Sequence, residues 1–376
     1  MFSDFDRQTM ARALQLARRA LYTTDPNPRV GCVLVRDGRI VGEGFHVRAG
    51  EPHAERNALA AAGGNARGAT AYVTLEPCSH TGRTGPCADA LLDAGVARVV
   101  AAMEDPNPQV AGQGLKRLAE AGIETASGLL EDEARALNPG FISRMTRQRP
   151  FIRIKIAASV DGRTAMASGE SQWITGPAAR EDVQRMRARS SAVITGVGTV
   201  MADRPSYTVR PDQWLLSEYQ AEAGGSDWVR QPLRVILDRT LRTPPSVPVV
   251  SAPGHCLLVA GERHDGRQNA LESAGAEVIH LPASGSGIDL LQLLKELNRR
   301  ECNEVLVECG ATLAGAFVRE GLFDELVVYM APALLGSSAR PLLGLPQLAS
   351  MSEKVSLKWQ DVRMVGGDLR LTLTPA

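Results

Sequence analysis

An α/β protein of two domains is what this sequence predicts. Helix-like and strand-like segments alternate over residues 6–102 and again from about 151 onward, and between them, near 138–150, the pattern breaks. A chain of 376 residues is also long for one average domain. We place the boundary at about 147, which gives domains 1–147 and 148–376.

Met10, Ala13, Leu14, Ala17 and Leu21 recur at helical spacing, so residues 6–22 are expected as an amphipathic helix. Strand-like Val30–Val35 and Arg39–Val41 flank Asp37-Gly38, a strong hairpin pair. The Ala-rich run from His53 to Ala62 reads as a helix ending at Gly63-Gly64. Ala71–Leu75 is a strand, Ala88–Ala94 a short helix and Val96–Ala102 a further strand. Asn138-Pro139-Gly140, then Arg144, Arg147, Arg149 and Pro150, read as a polar run ahead of the strand Phe151–Ile156. Beyond it, strands are expected at 191–195, 233–237, 256–260, 277–281, 304–308 and 325–330. Helices are expected at 177–189, 266–273, 288–299 and 312–320. The stretch 211–231, with Ala223-Gly224-Gly225-Ser226, reads as a surface excursion, and no repeat of 20–50 residues is present.

Composition narrows the function classes. Apolar residues make up 44% and charged residues 22%, ordinary for a protein that buries real cores. The 42 basic and 42 acidic side chains cancel, so a small substrate is expected rather than nucleic acid. The start, Met1-Phe2-Ser3-Asp4, lacks a signal-peptide pattern, and no apolar run approaches the roughly 18 residues of a membrane span. A cytoplasmic enzyme without a membrane partner is the expectation, and a homo-oligomer the expected assembly. The six cysteines do not make a disulfide scaffold in a chain this long.

Three of the six histidines and three of the six cysteines fall between Cys32 and Cys87. Within that window His53-Ala54-Glu55, Pro77-Cys78 and Cys87 stand out. One imidazole and two thiolates supply the three protein ligands of a catalytic Zn2+, whose fourth position is left for water. Glu55, two residues from His53 at a helix start, can move the proton that a leaving amine requires. Cys78 and Cys87 precede or open the next helix, where backbone N–H groups favour thiolates. The general zinc-deaminase pattern is H-x-E with P-C-x-x-C, whereas eight residues separate Cys78 from Cys87 here. A structural zinc, with His80 or His46 as a fourth ligand, is the rival reading of the same residues.

Asn27-Pro-Arg-Val-Gly-Cys-Val33, Gly44-Phe-His46, Gly50-Glu-Pro-His53-Ala-Glu55 and Glu76-Pro-Cys78-Ser-His80-Thr-Gly-Arg83-Thr-Gly-Pro-Cys87 together resemble the bifunctional riboflavin-biosynthesis deaminase/reductase family. That family shares the eight-residue spacing. The resemblance implies a cytidine-deaminase-like α/β/α domain. It also implies that His80 and Arg83 hold a phosphate ester, with Asn27 and His46 at pyrimidine- and ribose-contacting positions.

Taken by itself, the second half shows two glycine clusters, Gly196-Val-Gly198-Thr199 and Glu308-Cys-Gly310-Ala-Thr-Leu-Ala-Gly315, each following a strand. Either could bind phosphate at a helix start or be a tight turn, and neither fits G-x-G-x-x-G. Lys155–Arg163, Gly196–Val200, Asp203–Pro205, Thr208–Arg210, Leu237–Pro244 and Glu308–Leu313 match the reductase half of the same family. Its fold is similar to dihydrofolate reductase and its reductant is NADPH. By position, the resemblance implies that Ala157, Trp173, Thr199, Asp203 and the helix start Gly310, Ala311, Thr312, Leu313, Ala314, Gly315 and Ala316 line the cofactor site. It likewise implies that Lys155, Ser171, Arg187, Tyr207, Arg210 and Glu308 line the substrate site. Arg187 and Arg210 suit the substrate phosphate, and Asp203 or Glu308 suits the proton movement that opens the sugar ring. Arg204 stands where relatives commonly carry Asp, and Tyr207 where Leu is usual. Arg239 is a candidate for the adenosine 2′-phosphate.

The expected function is therefore hydrolytic deamination of 2,5-diamino-6-(5-phosphoribosylamino)pyrimidin-4-one, then NADPH-dependent reduction to 5-amino-6-(5-phosphoribitylamino)uracil. The enzymatic rival is a nucleoside or tRNA deaminase fused to an unrelated nucleotide-binding domain. The non-enzymatic rival is a nucleotide sensor with a structural zinc.

Overall fold

The computed structural model describes residues 2–79, 85–108, 110–210, 229–285 and 287–376. They form two compact units, the first running through Arg149 and the second comprising Pro150–Arg210 and Val229–Ala376.

In the first unit the order is α1 (Asp4–Arg19), β1 (Gly31–Arg36), β2 (Arg39–Phe45), α2 (Ala54–Ala62), β3 (Thr70–Val73), α3 (Cys87–Asp93), β4 (Arg98–Ala101), α4 (Gln113–Glu120), β5 (Glu124–Ala126), α5 (Glu131–Leu137) and α6 (Pro139–Arg147). Ser3 caps α1 in a reciprocal box with Asp6. Asp37 (φ 51°) and Gly38 (φ 72°) are both left-handed, the turn geometry that matches the twist of the flanking strands. The five strands lie in the order β2-β1-β3-β4-β5. β1 is antiparallel to both neighbours, and β3, β4 and β5 are parallel.

Glycines set the layers. A Cβ on Gly31 would lie 2.1 Å from the Ala13 carbonyl oxygen of α1, and one on Gly44 would lie 2.4 Å from the Ala58 nitrogen of α2. Gly44 pairs with Cys32, so it points to the face opposite Gly31. Helices α1 and α2 therefore cover opposite faces of the sheet, each against bare backbone, in an α/β/α arrangement. Gly44→Ala should cost at least about 2 kcal/mol, because the helix cannot retreat without opening the core; urea unfolding measures it, and an unchanged midpoint would contradict the contact.

The second unit runs β6 (Phe151–Ser159), β7 (Arg163–Ala165), α7 (Pro177–Arg189), β8 (Ala192–Gly196), α8 (Val197–Asp203), β9 (Leu233–Leu237), α9 (Pro248–Ser251), β10 (Cys256–Ala260), α10 (Asp265–Ser273), β11 (Glu277–His280), β12 (Ala283–Ser284) and β13 (Gly287–Ile288). It continues through α11 (Leu290–Arg299), β14 (Glu304–Glu308), α12 (Ala311–Arg319), β15 (Glu325–Ala331), β16 (Arg340–Pro341), β17 (Leu357–Val365) and β18 (Asp368–Pro375). Nine strands lie in the order β11-β10-β9-β8-β14-β6-β15-β18-β17, parallel from β11 to β15, with β18 and β17 antiparallel at one edge. Val305 and Val307 enter one core and Leu306 the other, so both faces of the sheet are buried.

The expected strands and helices of both units are present, with ends that agree to within four residues. Two things differ. The polar run at 139–147 is helix α6, started by Pro139 and burying only Gly140 and Ser143. The hairpin β17–β18 had no counterpart in the sequence reading. Most of the expected excursion, 211–228, lies outside the described residues.

Candidate active sites

His53 caps α2 in extended backbone and makes no side-chain capping bond, so its ring is available elsewhere. Cys78 lies beyond β3 and Cys87 opens α3. The Cys87 N–H donates to Cys78 Sγ at 3.3 Å, and Ala88 N–H to the Cys78 carbonyl at 3.2 Å. His53 Nδ1 lies 3.7 Å from Cys78 Sγ and 3.3 Å from Cys87 Sγ, and all three ligand atoms fall within 4.8 Å of one another. A tetrahedral zinc, with bonds of about 2.0 Å to nitrogen and about 2.3 Å to sulfur, asks for donor separations of about 3.5–3.8 Å. The donor set fits.

The electrostatics favour a cation there. The Cys87 thiol, and after it the His53 ring, hold the Cys78 thiol down at about 4 despite burial. Cys87 is pushed up, chiefly by donating to Cys78 and also by burial. A dication between the sulfurs removes that opposition and takes both as thiolates. Glu55, in the first turn of α2, is 3% exposed, and burial raises its carboxyl to about 7.

His46 is buried edge-on to His53, with ring centroids 5.1 Å apart. Its Nδ1 lies 3.1 Å from the Pro52 carbonyl, which can only accept, so that nitrogen carries the proton. Nε2 then accepts from Asn27 Nδ2 at 3.0 Å. This fixes the Asn27 amide with its oxygen turned away from His46 as an acceptor. His80 and Arg83 lie outside the described residues.

In the second unit a cavity of about 2320 Å³ opens at the carboxyl ends of the parallel strands, touching Ala157 of β6, Gly196 of β8, Leu237 of β9 and Glu308 of β14. Ser171, Trp173, Thr199, Asp203, Tyr207 and Arg210 line it, as do Lys155 and Arg187. At its floor Glu308 pairs with Arg187 through two bonds, Nε to Oε1 at 2.6 Å and Nη2 to Oε2 at 2.8 Å. Burial lowers the Lys155 ammonium and nearby Glu308 opposes that shift. Arg187, then Lys155, keep Glu308 ionised against burial. Tyr207 hydroxyl donates to the Glu308 carbonyl at 3.0 Å and its ring lies 5.2 Å under the Arg187 guanidinium. Ser171 Oγ donates to Asp203 at 3.4 Å. Gly310 caps α12, its N–H bonded to Thr199 Oγ1 at 3.2 Å, and the space above Gly198 is open. A helix start beside bare backbone suits a dinucleotide pyrophosphate, and the volume holds NADPH and a sugar phosphate together.

Residues 150–371 match the RibD C-terminal domain, and residues 3–103 match the cytidine and deoxycytidylate deaminase zinc-binding region. The riboflavin biosynthesis protein RibD of Escherichia coli (strain K12) is 51% identical over 372 residues, covering 99% of this chain and 100% of that protein. The chain belongs to the RibD family. A solved structure of Acinetobacter baumannii RibD superposes with a TM-score of 0.89 at 47% identity, over 99% of each chain. One from Thermotoga maritima, a diaminohydroxyphosphoribosylaminopyrimidine deaminase/5-amino-6-(5-phosphoribosylamino)uracil reductase, gives 0.83 at 32% identity, again over 99% of each. As a RibD protein, the chain is a deaminase and reductase of riboflavin biosynthesis, with zinc and NADPH as its cofactors.

Against this RibD frame two details of the sequence reading change. Along α12, Gly310, Ala311, Thr312, Leu313 and Ala316 line the cavity. Ala314 instead lies in the core, and Gly315 packs on Gly344, whose carbonyl oxygen would lie 2.4 Å from an added Cβ. Arg187, expected on the substrate phosphate, has its fork filled by Glu308. Arg210 is exposed and its side chain has no partner among the described residues, so it is the freer cation.

One further residue of this RibD chain went unassigned in the sequence. Glu76 is 5% exposed, two positions before Cys78, and its carboxylate accepts four backbone N–H groups. Asp105 at 3.0 Å and Gly112 at 2.9 Å donate to one oxygen, Gly114 at 2.7 Å and Leu115 at 3.2 Å to the other. Only its place in Glu76-Pro-Cys78 marked it. Glu76→Ala leaves four donors unsatisfied and should cost at least about 3 kcal/mol. Chemical unfolding with zinc affinity measured in parallel tests this; unchanged values for both would remove its anchoring role.

Proposed function

We propose that residues 1–147 deaminate 2,5-diamino-6-(5-phosphoribosylamino)pyrimidin-4-one and residues 148–376 reduce the product's ribosyl group. The observation that carries the first assignment is the convergence of His53, Cys78 and Cys87 on one point with buried Glu55 beside it. His53 Nδ1 and the two sulfurs would hold zinc, which supplies a water acidic enough to act as a nucleophile near neutral pH. Glu55 accepts the proton of the attacking water and returns it to the departing amine; its raised carboxyl suits traffic in both directions. Asn27, oriented by His46, presents an acceptor to the pyrimidine edge. His80 and Arg83 take the substrate phosphate.

In the reductase part Ala157, Trp173, Thr199, Asp203 and the start of α12 hold NADPH, the hydride source. Lys155, Ser171, Arg187, Tyr207, Arg210 and Glu308 form the substrate side, with Arg210 on the phosphate. Glu308, held ionised, keeps Arg187 and Lys155 in place, and Asp203, whose carboxylate is bonded only by Ser171 among the described residues, moves the proton for ring opening. We place the enzyme in the cytoplasm, as a homo-oligomer without nucleic-acid or membrane partners; no described helix is long and apolar enough to cross a membrane. The test is an assay on the diaminopyrimidine phosphate that follows ammonia release and NADPH oxidation separately. Ammonia without NADPH oxidation would sink the second assignment and spare the first.

A further inference from the structure

Helix α7 turns a polar side chain, Gln184, to the cavity of the second unit one turn before Arg187, on the same face of the helix. Gln184 is 1% exposed. Its partner fixes which way the amide points. The Arg210 N–H can only donate, so the atom that meets it at 3.1 Å is the oxygen, Oε1. The chain entering Arg210 is itself pinned: Gln231 accepts from the Val209 N–H at 2.8 Å and donates to the Val209 carbonyl at 3.1 Å. With its oxygen committed, Gln184 leaves Nε2 on the other arm of the amide. That nitrogen makes no hydrogen bond among the described residues. A donor this buried is seldom left unmade in a native protein unless a ligand or water completes it.

We infer that Gln184 is a binding residue of the reductase site, its Nε2 donating to a phosphate oxygen of the sugar phosphate. The surroundings specify the chemistry. An amide locked with its nitrogen outward offers only donors, so it takes an acceptor and rejects an amine. Arg210, whose backbone holds the amide, is exposed with its side chain unpartnered among the described residues. Arg187, one turn along, commits Nε and Nη2 to Glu308 and leaves Nη1 unbonded among the described residues. The neighbouring carboxylate on α7, Glu181, is taken by Arg185 at 2.6 Å. Cations and a neutral donor therefore gather at this wall of the cavity with their carboxylates already occupied. A phosphate presents more lone pairs than one guanidinium fork can fill, and a neutral amide adds a bond without crowding a further positive charge beside Arg187.

This role rests on the second unit's reading as the reductase of a sugar phosphate. Titration calorimetry of the full-length protein with ribose 5-phosphate, with ribose and with NADPH tests it without turnover. Gln184→Met, neutral and close in size, should weaken ribose 5-phosphate about tenfold and leave ribose and NADPH unchanged. Gln184→Glu keeps an oxygen for the Arg210 N–H but turns a second oxygen on the phosphate, and should weaken ribose 5-phosphate about 100-fold or more. Wild-type affinity for ribose 5-phosphate in either variant overturns the assignment; in Gln184→Glu it would show that only the hold on Arg210 matters. An equal loss for ribose or NADPH in Gln184→Met overturns it too, because a distorted cavity weakens every ligand. Should Gln184→Glu not fold, Gln184→Met decides alone. A wild type that binds NADPH but no ribose 5-phosphate would remove the sugar-phosphate reading itself, and the role of Gln184 with it.

Discussion

Glu55→Gln is expected to slow ammonia release by about 10³-fold while zinc stays bound. The residue is almost wholly buried at the start of α2, beside the three ligand atoms but outside their set. Glutamine keeps its shape and cannot carry a proton, so the variant separates proton transfer from metal binding. Metal analysis and ammonia release on one preparation decide it. Zinc lost together with activity would make Glu55 a structural support, and activity kept would remove it from the chemistry. NADPH oxidation on an already deaminated substrate should be unchanged.

Glu308→Gln should remove about 3 to 5 kcal/mol from the second unit, because Arg187 and Lys155 then remain buried without a counter-charge. NADPH oxidation should fall with it, and ammonia release should not. The pH dependence gives a separate signature. Arg187 and Lys155 depress the folded Glu308 carboxyl below its unfolded value of about 4.3. Its contribution is therefore complete above about pH 4.3 and lost as the pH falls through the folded value. The wild-type unit should lose stability through that acid window more steeply than the variant does. Urea unfolding at several pH values reads both effects, and parallel curves would show the pair to be energetically idle.

Much of the architecture was legible because it repeats locally. The hairpin at Asp37-Gly38, the helix after His53 and the parallel strands of the second unit each carry their own periodicity or turn chemistry within a few residues. The hairpin β17–β18 was not, because β17 is exposed over nearly its whole length and Trp359, Val362 and Met364 alternate with nothing buried. Helix α6 hid behind its arginines, since its apolar face is short and Phe141 and Ile142 are only partly buried against the first core. At the sites, the metal ligands could be found by residue type. The engagement of Arg187 by Glu308, 121 positions away, and of Glu76 by the loop before α4 and the first turn of α4 depends on pairings that only the folded chain creates.

The bare seat of α2 has a mechanical consequence. Gly42 and Gly44 leave Ala58 almost against strand backbone, with a Cβ on Gly42 falling 2.3 Å from the Ala58 carbonyl oxygen. A joint made of main chain has no rotamers with which to creep, so the helix that carries His53 and Glu55 cannot loosen by degrees. The tolerance of the metal polyhedron is thus inherited from the sheet, and heating should release the ion only when that joint itself parts.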